Sequence, residues 1–292
     1  MNTDDRPTPT VESHAQPGQS QPESAPNQPT VSVIMPAFNS APYVAAAIDS
    51  VRAQTFPDWE LLVIDDCSTD HTREVVRGRM AEDPRVSLLE LPANMGAPAG
   101  PRNRGIAAAR GRYIALLDAD DVWHPQKLDL QLNAIARTGA RFISAGLIDF
   151  RDGETPEFTA VERARLQRIS MLRTLINTKT PTSTVLAERA LFERYPFNED
   201  LRYKAREDTD CFLHMHEEIG MSIKVRHPLL GYRITGDQQI SGRKLTMVRR
   251  HYYVLSHYQF ASGRTLSRPA AALFTTTHFG SAVYHRAWRG TM

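Results

Sequence analysis

The amino-acid sequence predicts an α/β domain, a mostly parallel sheet with helices on both faces, followed by a C-terminal helical extension. Three observations carry that prediction. Short β-branched runs alternate with amphipathic stretches from Val31 onward, the pattern of successive βαβ units. Two of the strand ends are acidic, at Asp65-Asp66 and at Asp118-Ala119-Asp120-Asp121, where an open parallel sheet places its ligands. The chain has 292 residues, 41% hydrophobic and 23% charged, which is enough for one large core and excludes collagen, a wholly disordered chain or a disulfide scaffold.

The elements follow in order. Val31-Ser-Val-Ile-Met35, ended by Pro36, reads as a buried strand, and Asn39-Ser40 as the cap of a helix in which Val44, Ile48 and Val51 recur at i, i+4 and i+7. Residues 61–64 form a second strand stopped by Asp65-Asp66, and residues 69–77 a second helix, so strand, helix and strand make a right-handed parallel unit. Residues 86–91 add a third strand, 99–110 a small-residue helix and 113–117 a fourth strand. A helix at 125–137 turns Leu128, Leu132 and Ile135 inward and is followed by a strand at 141–148. Beyond it the pattern reads as a polar loop at 149–160, helices at 161–176, 187–195 and 209–219, and a strand at 222–226.

The flanks differ from this body. Residues 1–29 hold six of the 19 prolines and no aromatic residue, so they cannot bury enough apolar surface to offset their ordering entropy and read as a disordered leader. The domain itself is expected over residues 30–240, with a basic aromatic extension over 241–292. The net charge of +2 hides that split: after Asp237 there are eight Arg or Lys and no acidic residue, leaving 27 basic against 33 acidic groups in the rest. Such asymmetry points to an anionic partner near the tail. The two cysteines, Cys67 and Cys211, read as unpaired thiols of a reducing compartment. No apolar run of about 20 residues is present to span a bilayer, and the N-terminus lacks a secretory pattern.

The densest chemical signal is Asp118-Ala119-Asp120-Asp121. Clustered carboxylates raise one another's pKa unless a cation compensates, and oxygen donors of this kind suit Mg²⁺ or Mn²⁺ completed by phosphate oxygens and water. A solvated acidic turn capping the next helix is the competing reading. At Asp65-Asp66 a carboxylate could accept hydrogen bonds from a base or ribose, while Ser68 or Asp70 would cap the following helix. Asn94-Met95-Gly96 and Gly100-Pro101-Arg102-Asn103 place glycines and an arginine at a helix entry, a weak phosphate signal.

Val31 to Asn39, Val63 to Asp70, Asn94 to Gly96 with Arg102-Asn103, and Leu117 to Asp121 resemble, in order and spacing, the family 2 glycosyltransferases with a Rossmann-like GT-A fold, of the bacterial polysaccharide-biosynthesis type. The resemblance covers about residues 31–241. It implies inverting transfer of one sugar from a nucleotide-diphosphate donor, a UDP-sugar by default, with Mn²⁺ or Mg²⁺. By position it assigns Pro36, Ala37, Asn39, Asp65 and Asp66 to the nucleobase and ribose pocket, Arg102 to the side of the base and phosphates, and Asp118 and Asp120 to the DXD motif, with Asp120 the stronger metal ligand. It assigns the base that takes the acceptor proton to Asp208, with Glu207 in reserve. The Gln-x-x-Arg-Trp motif of processive synthases is missing, since Gln238 to Arg243 lacks the tryptophan. Single addition is therefore expected, with Arg233 or Arg243 closing over the diphosphate or lying in a plain loop. A nucleotidyl- or phosphoryl-transferase using the same carboxylates is the alternative.

The tail has three compatible readings. Its eight aromatic residues and eight cations could sit on an anionic membrane, line a site for a glycan or lipid-linked acceptor, or pack as a helical pair with Tyr252, Leu255, Tyr258 and Phe260 inward. A cytoplasmic protein, peripheral at the inner face of the membrane, is the expected setting, and nucleic acid is not an expected partner.

Overall fold

The computed structural model describes residues 28–176, 180–235 and 244–289. Over the first 90 residues described, the elements come in the order the sequence predicts, with the second helix shifted toward the C-terminus. Strand β1 (Val31–Ala37), helix α1 (Val44–Arg52), β2 (Trp59–Asp65), α2 (Thr72–Glu82), β3 (Val86–Glu90), α3 (Ala99–Ala108) and β4 (Tyr113–Leu116) alternate, and β3, β2, β1 and β4 lie side by side in parallel. The chain steps outward from β1 to β3 and then returns to the other side of β1 with β4. That reversal opens a crevice at the carboxyl ends of β1 and β4, where side chains of both loops can meet a ligand.

The β1 side chains alternate between two cores, as the period of two requires. Val31, Val33 and Met35 pack with Val44, Ile48 and Val51 of α1, and with Leu128 and Ile135 of α4 (Lys127–Thr138). Ile34 packs on the opposite face with Ile106 of α3, Phe192 of α6 (Arg189–Arg194), and Phe212 and Met215 of α7 (Glu207–Ile219). Helices thus cover both faces. Gly105 lets α3 lie close against the sheet: a Cβ there would stand 2.5 Å from Ile64 Cδ1 and 2.8 Å from Ile34 Cγ2.

The second half departs from expectation. Residues 161–176 do not form one helix: β7 (Leu166–Ser170) pairs antiparallel with β9 (Met221–Ile234), and only Met171–Ile176 is helical, as α5. The hydrogen-bonding edge offered by β9 outweighs the local helical pattern. The predicted helix at 187–195 is split likewise. Leu186–Glu188 is β8, inserted antiparallel between β4 and β6 (Phe142–Arg151), and α6 starts after it. The short β5 (Val122–Trp123) also pairs with β9, whose 14 residues run parallel to β6 through a bulge at Gly146. The full order is β3-β2-β1-β4-β8-β6-β9-β5, with β7 beside β9.

Helices α8 (Lys244–His257) and α9 (Arg268–Arg289) pack on the body. Leu255, Tyr258 and Ala271 close over Leu213 of α7 and Leu175 of α5, with Tyr252 and Phe260 against them. The Tyr258 hydroxyl donates to Glu217 at 2.9 Å. Arg264 and Arg268 face water. Both cysteines are free thiols, and no described helix is long and apolar enough to cross a membrane.

Candidate active site

The loop after β1 is built by strained backbone. Asn39 has φ of 48° and Cys67, in the neighbouring loop, 62°, a region that costs a non-glycine residue free energy unless its surroundings enforce it. The enforcement is visible. The Asn39 N–H donates to Ser68 Oγ at 3.0 Å, and Asn39 Oδ1 accepts the Thr69 N–H at 2.8 Å, so Asn39 ties the β1 and β2 loops together instead of capping α1. Thr72, the first residue of α2, finds its acceptor in Asp70 at 3.0 Å.

Pro36 and Ala37 close β1 opposite Ile64 and Asp65. Asp65 is fully buried, accepting the Ser68 N–H at 3.1 Å with one oxygen while the other has no partner. Asp66 donates its N–H to Ala37 and accepts the Met95 N–H at 2.8 Å. Burial raises its pKa despite that hydrogen bond. Asn94 donates to the Asp66 carbonyl at 2.9 Å, so the Asn94-Met95-Gly96 turn supports the second acidic strand end.

Asp118, Asp120 and Asp121 divide into distinct roles. Asp121 is buried and spent on structure: it accepts the Ser183 hydroxyl at 2.7 Å and the Arg233 N–H at 3.1 Å. Asp118 keeps a third of its side chain exposed and accepts from Arg102 at 2.7 Å. Asp120 has its pKa pushed up to about 6, first by burial and then by the charge of Asp118. Among the described residues no three metal-ligating side chains form a ready cage. Asp118 and Asp120 would nonetheless fit a divalent ion: both offer oxygen donors of the kind that suits Mg²⁺ or Mn²⁺, and a cation would relieve the burial and the Asp118 charge that raise the pKa of Asp120.

A turn that the sequence analysis did not single out joins these parts. Residues Thr182–Thr184 form one 3-10 turn entering β8. Ser183 accepts the Asp118 N–H at 3.1 Å while donating to Asp121, and its carbonyl accepts Trp123 Nε1 at 2.8 Å. Thr182 donates to Asp208 Oδ2 at 3.2 Å. The signal available in the sequence was a run of three hydroxyl residues after Pro181, without helical periodicity.

Glu207 and Asp208 open α7, preceded by Ala205 at φ of 63°. They are not equivalent. Glu207 is 3% exposed and accepts from Arg102 at 2.9 Å, while its second oxygen is buried without a partner. Burial raises its pKa, Arg102 opposes the shift, and Asp208 adds to it. Asp208 is more open and, among the described residues, accepts only from Thr182 and Thr209. Arg102, assigned by resemblance to the base and phosphates, lies buried with its guanidinium shared between Asp118 and Glu207. Burial disfavours its charge, but the two carboxylates outweigh that and hold it protonated.

Arg233 sits over the same loop, donating to the Asp120 carbonyl at 2.9 Å and to Asp152 at 3.2 Å, with the Tyr43 ring 5.0 Å from its guanidinium carbon and the Tyr43 hydroxyl donating to Asp152 at 3.4 Å. The structure therefore brings Arg102, Asp118, Glu207 and Asp208 into one cluster, with Asp120, Asp121 and Arg233 along its edge. Arg243 lies outside the described residues.

The glycosyl transferase family 2 model matches residues 32–201, which include β1, the acidic strand ends and the Ser183 turn. The chain belongs to that family. It is a glycosyltransferase, and two curated relatives show the range of the likeness. The enzyme is 32% identical over 230 residues, 78% of its own length and 86% of the other, to an Escherichia coli protein named UDP-Glc:alpha-D-GlcNAc-diphosphoundecaprenol beta-1,3-glucosyltransferase WfgD. It is 38% identical over 129 residues to the putative teichuronic acid biosynthesis glycosyltransferase TuaG of Bacillus subtilis, where the match spans 44% of this chain and about half (51%) of that relative. Among solved structures, S. aureus TarS 1-349 in complex with UDP-GlcNAc superposes with a TM-score of 0.62 at 18% identity, covering 89% of this chain and 73% of that one, which shows the shared GT-A fold.

Proposed function

We propose that the enzyme moves one sugar from a nucleotide-diphosphate sugar, by default a UDP-sugar, to an acceptor hydroxyl with inversion, in the assembly of a bacterial polysaccharide. The observation that carries this reading is the division of labour at the head of α7. Arg102 locks Glu207 and leaves Asp208 as the carboxylate free to take a proton. Asp66, Asn39, Pro36 and Ala37 line the end of β1 and β2 where a base and ribose would lie, and Asp118 and Asp120 face the crevice beside them. WfgD, by its name, uses UDP-Glc and a diphosphoundecaprenol acceptor. That supports a lipid-linked glycan as the acceptor class.

In this mechanism Asp208 accepts the proton of the acceptor hydroxyl as its oxygen attacks the anomeric carbon from the face opposite the diphosphate. Thr182 fixes the orientation of the Asp208 carboxylate, and Ser183 fixes the backbone that presents Asp118. A divalent ion held by Asp118 and Asp120 would supply charge neutralisation for the departing diphosphate. Arg233, anchored to the Asp120 carbonyl, stands where a second cation would favour the same group. A nucleotidyl transfer would need no carboxylate base at the head of α7 and is the weaker reading.

Asp208→Asn tests the assignment. Transfer should fall by at least about 10²-fold, the usual yield of a general base, with UDP affinity unchanged; retained turnover would move the base to another residue. Peripheral contact with anionic membrane is proposed for the tail, where Leu245 and Leu273 are the most exposed large apolar residues and Arg264 and Arg268 face water. Charge reversal at Arg264 and Arg268 should then lower sedimentation with vesicles containing anionic lipid.

A further inference from the structure

Behind the base helix lies a group of nitrogen donors that the transfer step does not use. Arg206 directly precedes Glu207, and its Nε is buried without a hydrogen-bond partner. His251 of α8 is 1% exposed, and neither ring nitrogen has a partner. His278 of α9 stacks on His251, with centroids 4.4 Å apart and 23° between the planes. Phe279 walls the group, edge-on to His251 at 5.8 Å and 5.4 Å from the Arg206 guanidinium carbon. Among the described residues no carboxylate lies within ion-pair distance of Arg206.

His251 carries at least one N–H in any protonation state, and the Arg206 guanidinium carries five. Leaving a buried donor unsatisfied is costly, so a fold seldom keeps two together without an acceptor to meet them. An oxyanion is an acceptor that would satisfy these donors. Burial, then His278 and then Arg206 push the His251 pKa down to about 2, so that it stays neutral in this state. A bound anion would reverse that balance, and binding would take up protons. The charged groups around the imidazole are Arg206 before α7, His278 on α9, and Glu207 and Asp208 at the head of α7, which act on Arg206 through space.

We propose that Arg206, His251 and His278 form a phosphate-binding subsite for the acceptor. Arg206 is two residues from Asp208, so an anion held there positions the acceptor next to the base, whereas the donor diphosphate belongs to the Asp118 and Asp120 side. The subsite also explains why α8 and α9 come from the stretch without acidic residues, and it gives the anionic partner expected near the tail a location. It rests on the transferase reading above.

The test uses the full chain saturated with UDP in excess Mg²⁺, titrated by calorimetry with inorganic phosphate and, separately, with a short-chain prenyl diphosphate. Binding of the prenyl diphosphate, alone or together with phosphate, weakened at least tenfold in His251→Leu and in Arg206→Gln, supports the subsite. Response to the prenyl diphosphate only marks the lipid-linked group as the source; response to both marks the phosphate itself. The histidine ring resonances of His251 and His278 should move in the same titration. If neither ligand binds the UDP-loaded enzyme, or if His251→Leu raises the melting temperature and leaves both titrations unchanged, the proposal is overturned and the imidazole pair is packing alone. Failure of UDP itself to bind would instead strike at the transferase reading, so the two failures are distinguishable.

Discussion

Arg102→Met removes a side chain that pairs with both Asp118, beyond β4, and Glu207, at the head of α7. The substitution keeps an apolar stem of similar reach but leaves Glu207, 3% exposed, with a buried charge and no bonded partner for either oxygen. Breaking a buried pair in this way costs about 3–5 kcal/mol. The Asp118 contact adds little, about 0–1 kcal/mol, because that side chain is a third exposed and solvent screens it. Glu207 already has a raised pKa, so it relieves part of the penalty by taking up a proton, and about 3 kcal/mol is expected at pH 7. At about 2–4 °C per kcal/mol for a domain of this size, the melting temperature should fall by about 6–12 °C, and by less at pH 5, where Glu207 is more fully protonated. Calorimetric unfolding of Arg102→Met, Glu207→Met and the double variant closes a cycle whose coupling should reach at least about 2 kcal/mol, because the double variant leaves no buried carboxylate unpaired. A single-variant loss under about 1 kcal/mol, or strict additivity, would refute the claim that this guanidinium holds the two halves of the site together.

Other outcomes follow from the same geometry. Ser183→Ala takes a donor from buried Asp121 and an acceptor from the Asp118 N–H; stability in urea should drop by about 1–3 kcal/mol, and UDP titration should show weaker donor binding. Asp120, with a folded pKa near 6 against about 3.9 unfolded, contributes stability that is present below pH 4 and lost as pH rises to 6, about 3 kcal/mol at most. Asp120→Asn should flatten that part of the metal-free stability profile, and added Mn²⁺ should raise the wild-type melting temperature most above pH 6, where protons no longer compete for the carboxylate. Gly105→Ala forces a methyl group against Ile64 and Ile34 and should cost about 1–3 kcal/mol of unfolding free energy.

The legible part of this protein is the part in which local pattern and tertiary environment agree. Residues 31–117 carry their strands as continuous apolar runs and their helices as one-sided stripes, so β1 to β4 and α1 to α3 were readable in order and type, although α2 runs Thr72–Glu82 where 69–77 was expected. The position of the acidic residues beyond β2 and β4 was legible in the same way, but not their division: Asp65 and Asp121 are buried in structural hydrogen bonds. Beyond Asp149 the pattern misleads. Residues 166–170 and 186–188 pair as strands only because β9, β4 and β6 offer them edges, and no window of sequence contains that information. Asn39 illustrates the same limit on a smaller scale: its side chain suits a helix cap, but the partner it finds is Thr69, 30 residues away.

By itself, the sequence determined the fold class, the order of the first elements, the candidate carboxylates and the uneven distribution of charge, since each depends on composition or on spacing within one segment. The tertiary structure decided which carboxylate is bound to what. Asp121 is withdrawn into hydrogen bonds with Ser183 and Arg233, Glu207 is locked by Arg102, and Asp208 is left available, through contacts that span 26 to 112 residues of chain. A carboxylate's role depends on its neighbours' charge and on its access to water, and those are properties of the folded chain.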